Sequence, residues 1–101
     1  MKILLVCAVG MSTSILVSKI EKYALEKKLD IEIKAMGNSN LIEQKGVWDI
    51  CLLGPQIKYA FKDVQRVLEI PMEVIDVQAY AFSDAEKVVA QANRLAQQIK
   101  K

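Results

Sequence analysis

The sequence predicts one α/β domain, an open, doubly wound sheet of four parallel strands with helices on both faces. Two short segments, Lys2–Cys7 and Trp48–Leu53, are almost continuously apolar, as in strands that are buried on both faces. The longer segments between the strands repeat apolar residues every three or four positions, which indicates helices. Because strand and helix patterns alternate along the 101 residues, parallel strands joined by helical crossovers are expected, in a single domain over residues 1–101.

Four segments have the apolar, β-rich composition of strands. The first and third are the most apolar and are expected at the centre of the sheet, which gives the strand order 2-1-3-4. The predicted strands are Lys2–Cys7, Ile31–Met36, Trp48–Leu53 and Glu73–Val77.

Three helices and one weaker helical segment are expected between and after the strands. Pro55 suits the first turn of the second helix, and Ser83 with Glu86 forms a capping-box pattern at the start of the last. Gly46 ends the weak segment. The predicted ranges are Ser12–Lys28, Ser39–Lys45, Gln56–Leu68 and Ser83–Ile99. In the last helix the buried stripe is expected to be Ala85, Val88, Val89, Ala92, Leu95, Ala96 and Ile99.

Composition and charge exclude several classes of function. The 14 basic and 12 acidic residues are intermixed and leave a net charge of +2, which argues against a nucleic-acid binder. No apolar run approaches the roughly 20 residues that cross a bilayer. The sequence has no histidine, so Ser-His or Cys-His catalysis cannot come from this chain alone, and no metal or cofactor is expected.

Two cysteines are too few for a disulfide framework, and the apolar segment Ile3–Val6 is shorter than the core of a signal peptide. The expected location is therefore the reducing cytoplasm, with both thiols unpaired.

The loop after the first strand carries the chemistry that the sequence predicts. In such a sheet, ligands bind beyond the carboxyl ends of the strands where the winding reverses, here between strands one and three. Gly10 allows the backbone amides to turn inward, and the hydroxyls and amides that open the next helix add donors for an anion. A cysteine in such a hollow is expected to act as a thiolate nucleophile at an accessible loop and to become phosphorylated. The loop is Cys7, Ala8, Val9, Gly10, Met11, Ser12, Thr13 and Ser14.

Other positions are weighed against ordinary structural roles. Gly54, Pro55 and Gln56 should face the cysteine loop, where Gln56 either contacts phosphate or a partner or simply belongs to a turn entering a helix. Asp76 is expected to cap a helix or turn rather than to act as a general acid. Cys51 lies inside a strand and is expected to fill the core.

Five side chains are assigned less specific roles. Met11 is expected to be an exposed apolar contact for a partner protein. Tyr59 and Tyr80 are expected in the core or at its rim, with partner contact as the alternative. Lys100 and Lys101 are expected to form a solvated tail.

Two alternatives remain for a nucleophilic cysteine of this kind. A phosphatase related to the small tyrosine phosphatases would need an arginine in the pattern C-x5-R, but that position is Thr13 and no arginine precedes Arg66. Without that arginine a thiophosphate should resist hydrolysis, which suits a carrier. The other alternative is a regulatory domain that senses oxidation through Cys7. A Walker loop and a G-x-G-x-x-G motif are both missing from the sequence.

The stretch from Cys7 to Ser14 resembles the phosphorylation loop of the IIB components of the bacterial sugar phosphotransferase system. Leu53-Gly-Pro-Gln-Ile57 and Val74-Ile-Asp76 add to a resemblance that spans the whole chain. It is closest to the lactose/cellobiose family, on the cellobiose and chitobiose side.

This resemblance implies a phosphoryl carrier that is peripherally associated with a membrane permease. A phosphohistidine of a separate IIA protein would donate to Cys7, and phospho-Cys7 would donate to a β-linked disaccharide held by the membrane IIC protein. The amides of residues 8–14 would neutralise the phosphoryl oxygens.

Overall fold

A computed structural model of the chain describes residues 1–7, 11–37 and 41–98. Of residues 11–13 it describes the backbone alone. The strands are β1 (Lys2–Val6), β2 (Glu32–Met36), β3 (Ile50–Leu53) and β4 (Met72–Val74). The α-helices are α1 (Met11–Glu26), α2 (Phe61–Leu68), α3 (Val77–Ala81) and α4 (Ala85–Gln97). Two 3₁₀ helices span Leu41–Gln44 and Pro55–Ala60.

The four strands form one parallel sheet in the order β2-β1-β3-β4, as predicted from their apolar content. Val6 pairs with Met36 on one side and with Leu53 on the other, so the central strand β1 is hydrogen-bonded along both edges. This places Cys7, the residue after β1, in the middle of the carboxyl edge of the sheet.

Each face of the sheet is covered by its own apolar layer. Successive residues of a strand point to opposite faces, so Ile3 and Leu5 pack with α1, α3 and α4, whereas Leu4 and Val6 pack with α2 and the two 3₁₀ helices. The first layer includes Leu16, Ile20, Ala79, Val88, Val89, Ala92 and Leu95. The second includes Leu41, Trp48, Cys51, Ile57, Ala60, Val64, Leu68 and Met72. The predicted packing of helices on both faces is confirmed.

Two helix boundaries differ from the predicted ones because of backbone conformation and capping. α1 ends at Glu26, and Lys28 lies in the left-handed region with a φ of +55°, which stops the helix. At the start of α4 the predicted cap Ser83 is wrong: the carboxylate of Asp84 accepts a hydrogen bond from the amide of Lys87 at 3.2 Å. Ser83 itself has a φ of +49°. The predicted end at Ile99 lies outside the described residues.

The fourth strand is shorter than predicted. It ends at Val74, and Val77 begins the short helix α3, which the sequence analysis did not expect. The cause is Asp76, whose carboxylate accepts a hydrogen bond from the amide of Ala79 at 3.0 Å and so caps a helical turn. The expectation that Asp76 serves as a cap is confirmed.

The other predicted segments hold with changed boundaries. The helix expected over Gln56–Leu68 consists of the 3₁₀ helix Pro55–Ala60, which is kinked at Ile57 with φ −121° and ψ 31°, followed by α2 from Phe61. The weak helix before Gly46 is the short 3₁₀ helix; its first two predicted residues, 39 and 40, lie outside the described part. Strands β2 and β3 start at Glu32 and Ile50, one and two residues later than expected.

In the parts of the chain that the structure describes, no helix combines the length and apolar character that a membrane crossing requires.

Candidate functional site at the carboxyl edge of the sheet

Cys7 lies at the carboxyl end of the central strand, four residues before the first residue of α1. Its amide donates a hydrogen bond to the carbonyl oxygen of Met36 at 3.0 Å, and its Sγ lies 4.0 Å from the same oxygen. The backbone of Cys7 therefore continues the line of β1 beside β2. Strand β1 thus fixes the position of the Cys7 backbone, and the chain continues from there to the N-terminus of α1.

Cys7 is less accessible than the sequence predicted. The residue is only 3% exposed, so the expectation of an open thiol is wrong for the protein on its own. The physical reason is the close packing of a second turn, which begins at Gly54, against its side chain.

Gly54 lies close against Cys7. Its amide donates to the carbonyl oxygen of Val6 at 2.7 Å, which draws the end of β3 against the end of β1. A Cβ added at Gly54 would lie 2.9 Å from the Cβ of Cys7 and 3.3 Å from its Cα, closer than side chains tolerate. The φ of Gly54 is −61°, so space, and not backbone conformation, requires glycine here.

The side chain of Gln56 approaches the same point. Its Oε1 lies 3.0 Å from where the Cβ of Gly54 would be, so the carboxamide of Gln56 and the side chain of Cys7 are near neighbours. Pro55 is the first residue of the 3₁₀ helix, and Gln56, which follows it, is exposed. The structure thus brings Gly54 and Gln56 to the predicted side of Cys7.

The predicted phosphate-binding loop lies only partly within the described residues. Ala8, Val9 and Gly10 lie outside the described residues. The backbone of residues 11–14 forms the first turn of α1, whose amides have no partners within the helix and so can bind an anion. The side chain of Ser14 is exposed, and the side chains of Met11, Ser12 and Thr13 lie outside the description. The roles assigned to residues 8–14 remain predictions.

The second cysteine has a different environment. Cys51 is fully buried within β3, and burial raises the pKa of its thiol to about 12, with a smaller opposing effect from a hydrogen bond with the Val6 backbone. A thiol with this pKa is neutral and inert at neutral pH. The expectation that Cys51 fills the core is confirmed.

Gln91 is a structural residue near this edge that the sequence analysis missed. It is only 6% exposed, and its carboxamide joins α4 to Val74, the last residue of β4, and to Asp76 in the turn after it. A signal was present, because position 91 falls on the apolar stripe of α4, three residues after Val88 and four before Leu95. A polar residue on a buried stripe indicates a hydrogen-bonded partner in the core.

The remaining side chains near the edge have simpler positions. Tyr59 is 80% exposed, so its expected place in the core or at its rim is wrong, whereas Tyr80 is partly buried against the core on the α1 side. Lys100 and Lys101 lie outside the described residues.

One cavity lies away from this site. A pocket of about 700 Å³ lies at the opposite, amino edge of the sheet, where it is lined by residues that precede strands, among them Met1, Ile31, Asp49 and Pro71. In the described part of the chain, no three Cys, Asp or Glu side chains come together as metal ligands do.

The carboxyl edge presents a cysteine beside a glycine turn and a helix N-terminus, which are elements that can hold a covalent phosphoryl group.

These features define a small parallel α/β domain with one cysteine at the switch point of its sheet. Residues 2–91 match the family model described as "PTS system, Lactose/Cellobiose specific IIB subunit". The chain therefore belongs to the lactose/cellobiose-specific IIB family of the sugar phosphotransferase system (PTS).

Individual relatives cover almost the whole chain. It is 39% identical to the oligo-beta-mannoside-specific EIIB component of Bacillus subtilis (strain 168), over 90% of this chain and 91% of the relative. It is 41% identical to the cellobiose-specific EIIB component of Lactococcus lactis subsp. lactis (strain IL1403), over 92% and 94%. The solution structure of the cellobiose-specific phosphotransferase IIB component from Borrelia burgdorferi has a TM-score of 0.81 and 38% identity, covering 97% of this chain and 93% of that one.

Family membership fixes the general activity. IIB components are phosphotransferases of the sugar phosphotransferase system and work with IIA and IIC components. The resemblance seen in the sequence is thus confirmed at the level of the family.

Proposed function

We propose that Cys7 is the phosphoryl acceptor of this IIB component. The observation that carries the proposal is the position of Cys7 at the end of central strand β1, beside the turn of Gly54 and four residues before α1. The other thiol, Cys51, is fully buried and has a pKa of about 12. Only Cys7 combines a place at the carboxyl edge with anion-binding amides nearby.

Two group transfers make up the proposed cycle. The sulfur attacks the phosphorus of a phosphohistidine on the IIA protein, so the S–P bond forms while the P–N bond breaks and its electron pair stays with the imidazole. The proton that the thiol loses is balanced by the proton that the released imidazole takes up. A sugar hydroxyl held by the IIC protein then attacks the same phosphorus, the S–P bond breaks, and the thiol recovers a proton.

The chain contributes position and charge stabilisation to both steps. Amides of residues 8–14, including the free amides of the first turn of α1, are proposed to hold the phosphoryl oxygens. No arginine precedes Arg66 in the sequence, so the group lacks the clamp with which phosphatases promote hydrolysis. The phosphorylated protein therefore lasts long enough to meet its acceptor.

The proposed acceptor is a β-linked disaccharide of the cellobiose or chitobiose type. The relatives named above are specific for oligo-beta-mannosides and cellobiose, and both of these are β-linked. The domain is proposed to act in the cytoplasm, at the surface of the membrane IIC permease. It presents a phosphoryl group and need not enclose the sugar.

The test is phosphorylation with phosphoenolpyruvate, the general phosphotransferase proteins and the cognate IIA protein, followed by peptide mass mapping. We expect one phosphoryl group on Cys7, none on Cys51, full labelling of Cys51→Ala and no labelling of Cys7→Ala. Label on another residue, or an unlabelled wild type with active donor, would reject the proposal. Rapid turnover of p-nitrophenyl phosphate would favour the phosphatase alternative.

A further inference from the structure

The turn that follows β3, from Gly54 to Gln56, packs against Cys7. A Cβ built at Gly54 would lie 2.9 Å from the Cβ of Cys7 and 3.0 Å from Oε1 of Gln56, so both side chains approach the same point. The hydrogen bond from the amide of Gly54 to the carbonyl of Val6, at 2.7 Å, ties this turn to the strand that carries the sulfur. These contacts belong to described residues on two neighbouring strands.

We propose that Gly54 is a positioning residue for the sulfur of Cys7 and that the carboxamide of Gln56 hydrogen-bonds the phosphoryl group carried there. This inference rests on the proposed function of Cys7 as the acceptor. It assigns separate roles to two residues of a turn that otherwise serves only to start a helix.

The role of Gly54 follows from the space around it. A methyl group at position 54 would need the place 2.9 Å from the Cβ of Cys7, and the nearest atoms include the Cα of Cys7, which is backbone and cannot rotate away. Because the φ of −61° and ψ of 139° suit alanine, the backbone of the turn would be retained and Cys7 would be displaced. In-line transfer is sensitive to such a shift, since a misplacement of about 1 Å can cost roughly 100-fold in rate.

The role of Gln56 follows from its position and chemistry. Gln56 is exposed and lies near Cys7, which is only 3% exposed. The side chain of Gln56 therefore borders the approach to the sulfur. Its carboxamide carries both an acceptor and a donor, and a half-turn of the terminal amide exchanges Oε1 for Nε2. A phosphoryl group on sulfur presents acceptors only, so it selects the orientation in which Nε2 donates.

The experiment measures the rate of single-turnover phosphoryl transfer from phosphorylated IIA protein. The final extent of labelling gives the number of folded molecules, and the rate is expressed per labelled molecule. We expect Gly54→Ala to lower the rate per labelled molecule about 10-fold to 100-fold, with an unchanged half-saturating concentration of donor. The matched control is Gly46→Ala. Gly46 has a φ of +83° and open space around its Cβ position, so its replacement lowers stability without touching Cys7.

A charge pair tests Gln56 independently of Gly54. Gln56→Glu places a carboxylate beside the transferred group and should slow transfer about tenfold, whereas Gln65→Glu makes the same charge change on the exposed surface of α2 and should leave the rate unchanged. Gln56→Ala, which loses one hydrogen bond, should slow transfer several-fold.

The outcomes separate this inference from the proposed function. A wild type that takes no phosphate rejects the proposed function. A labelled wild type with Gly54→Ala at the same rate, or with Gln56→Glu equal to Gln65→Glu, rejects the inference alone. If Gly54→Ala does not fold, the Gln56 variants decide the matter.

Discussion

The amide of Asp76 donates a hydrogen bond to Oε1 of Gln91 at 3.1 Å, which joins the turn after β4 to helix α4. The Nε2 of the same glutamine donates to the carbonyl of Val74 at 2.8 Å and to Oε1 of Glu73 at 2.9 Å. All polar atoms of this buried carboxamide are therefore bonded. The turn at the edge of the sheet is held by a side chain from a distant part of the sequence.

Replacing Gln91 with alanine should destabilise the protein by about 2–3 kcal/mol, because a backbone amide and a carbonyl lose their buried partner. The measurement is the free energy of unfolding from urea titration. Gln97→Ala, on the exposed part of the same helix, is the control and should change stability by less than about 0.5 kcal/mol. Equal effects of the two substitutions would show that the Gln91 network adds nothing to stability.

Asp76→Ala should lower the free energy of unfolding by about 1 kcal/mol, the usual value of a lost helix cap. Since its carboxylate caps α3, we expect the rate of phosphoryl transfer per folded molecule to stay unchanged. Asp84→Ala removes the matching cap of α4 and serves as the control for stability. A loss of transfer in Asp76→Ala but not in Asp84→Ala would place Asp76 in the chemistry after all.

Cys51 should make the protein sensitive to alkaline pH. Burial raises the pKa of its thiol from an ordinary value of 9.0 to about 12, so the neutral form favours the folded state. Its contribution to stability is complete below about pH 9 and is lost as the pH rises toward 12, because the unfolded chain ionises first.

The slope of this loss approaches about 1.4 kcal/mol per pH unit. Unfolding free energies of wild type and Cys51→Ala, measured between about pH 8 and pH 10.5, should converge by that slope as the pH rises. Parallel curves would contradict the effect of burial on this thiol.

Lys28→Gly should stabilise the protein by about 0.5–1 kcal/mol, because Lys28 has a φ of +55° and glycine adopts this conformation without strain. Thermal unfolding measures the change. Lys27→Gly is the neighbouring control, with no positive φ to relieve, and should lower stability instead. A lower stability for both variants would show that the left-handed residue carries no strain.

The sequence predicted the sheet well because strand order depends on overall apolar content, which is visible without knowing any contact. β1 and β3 are central, and Cys7 follows β1 as expected. Boundaries were less predictable, since they depend on single hydrogen bonds between a side chain and the backbone. Ser83 and Asp84 are both good caps and adjacent, and only the fold decides that Asp84 accepts the bond.

The candidate site was predictable in its position but not in its exposure. Strand and helix patterns place Cys7 at the edge, whereas Gly54, which packs against it, is 47 residues away in the chain. A close approach of two backbones leaves no periodic pattern in a sequence. Nor does the sequence show which aromatic side chains will be excluded from the core, as that of Tyr59 is.

The alternation of β1 between the two packed layers limits how the protein can change. Ile3 and Leu5 face one layer, and Leu4 and Val6 the other, with Cys7 immediately after them. A single residue inserted into this strand would exchange the faces of the side chains on one side of the insertion. The number of residues between the start of the sheet and the sulfur is thus constrained by the packing of both layers.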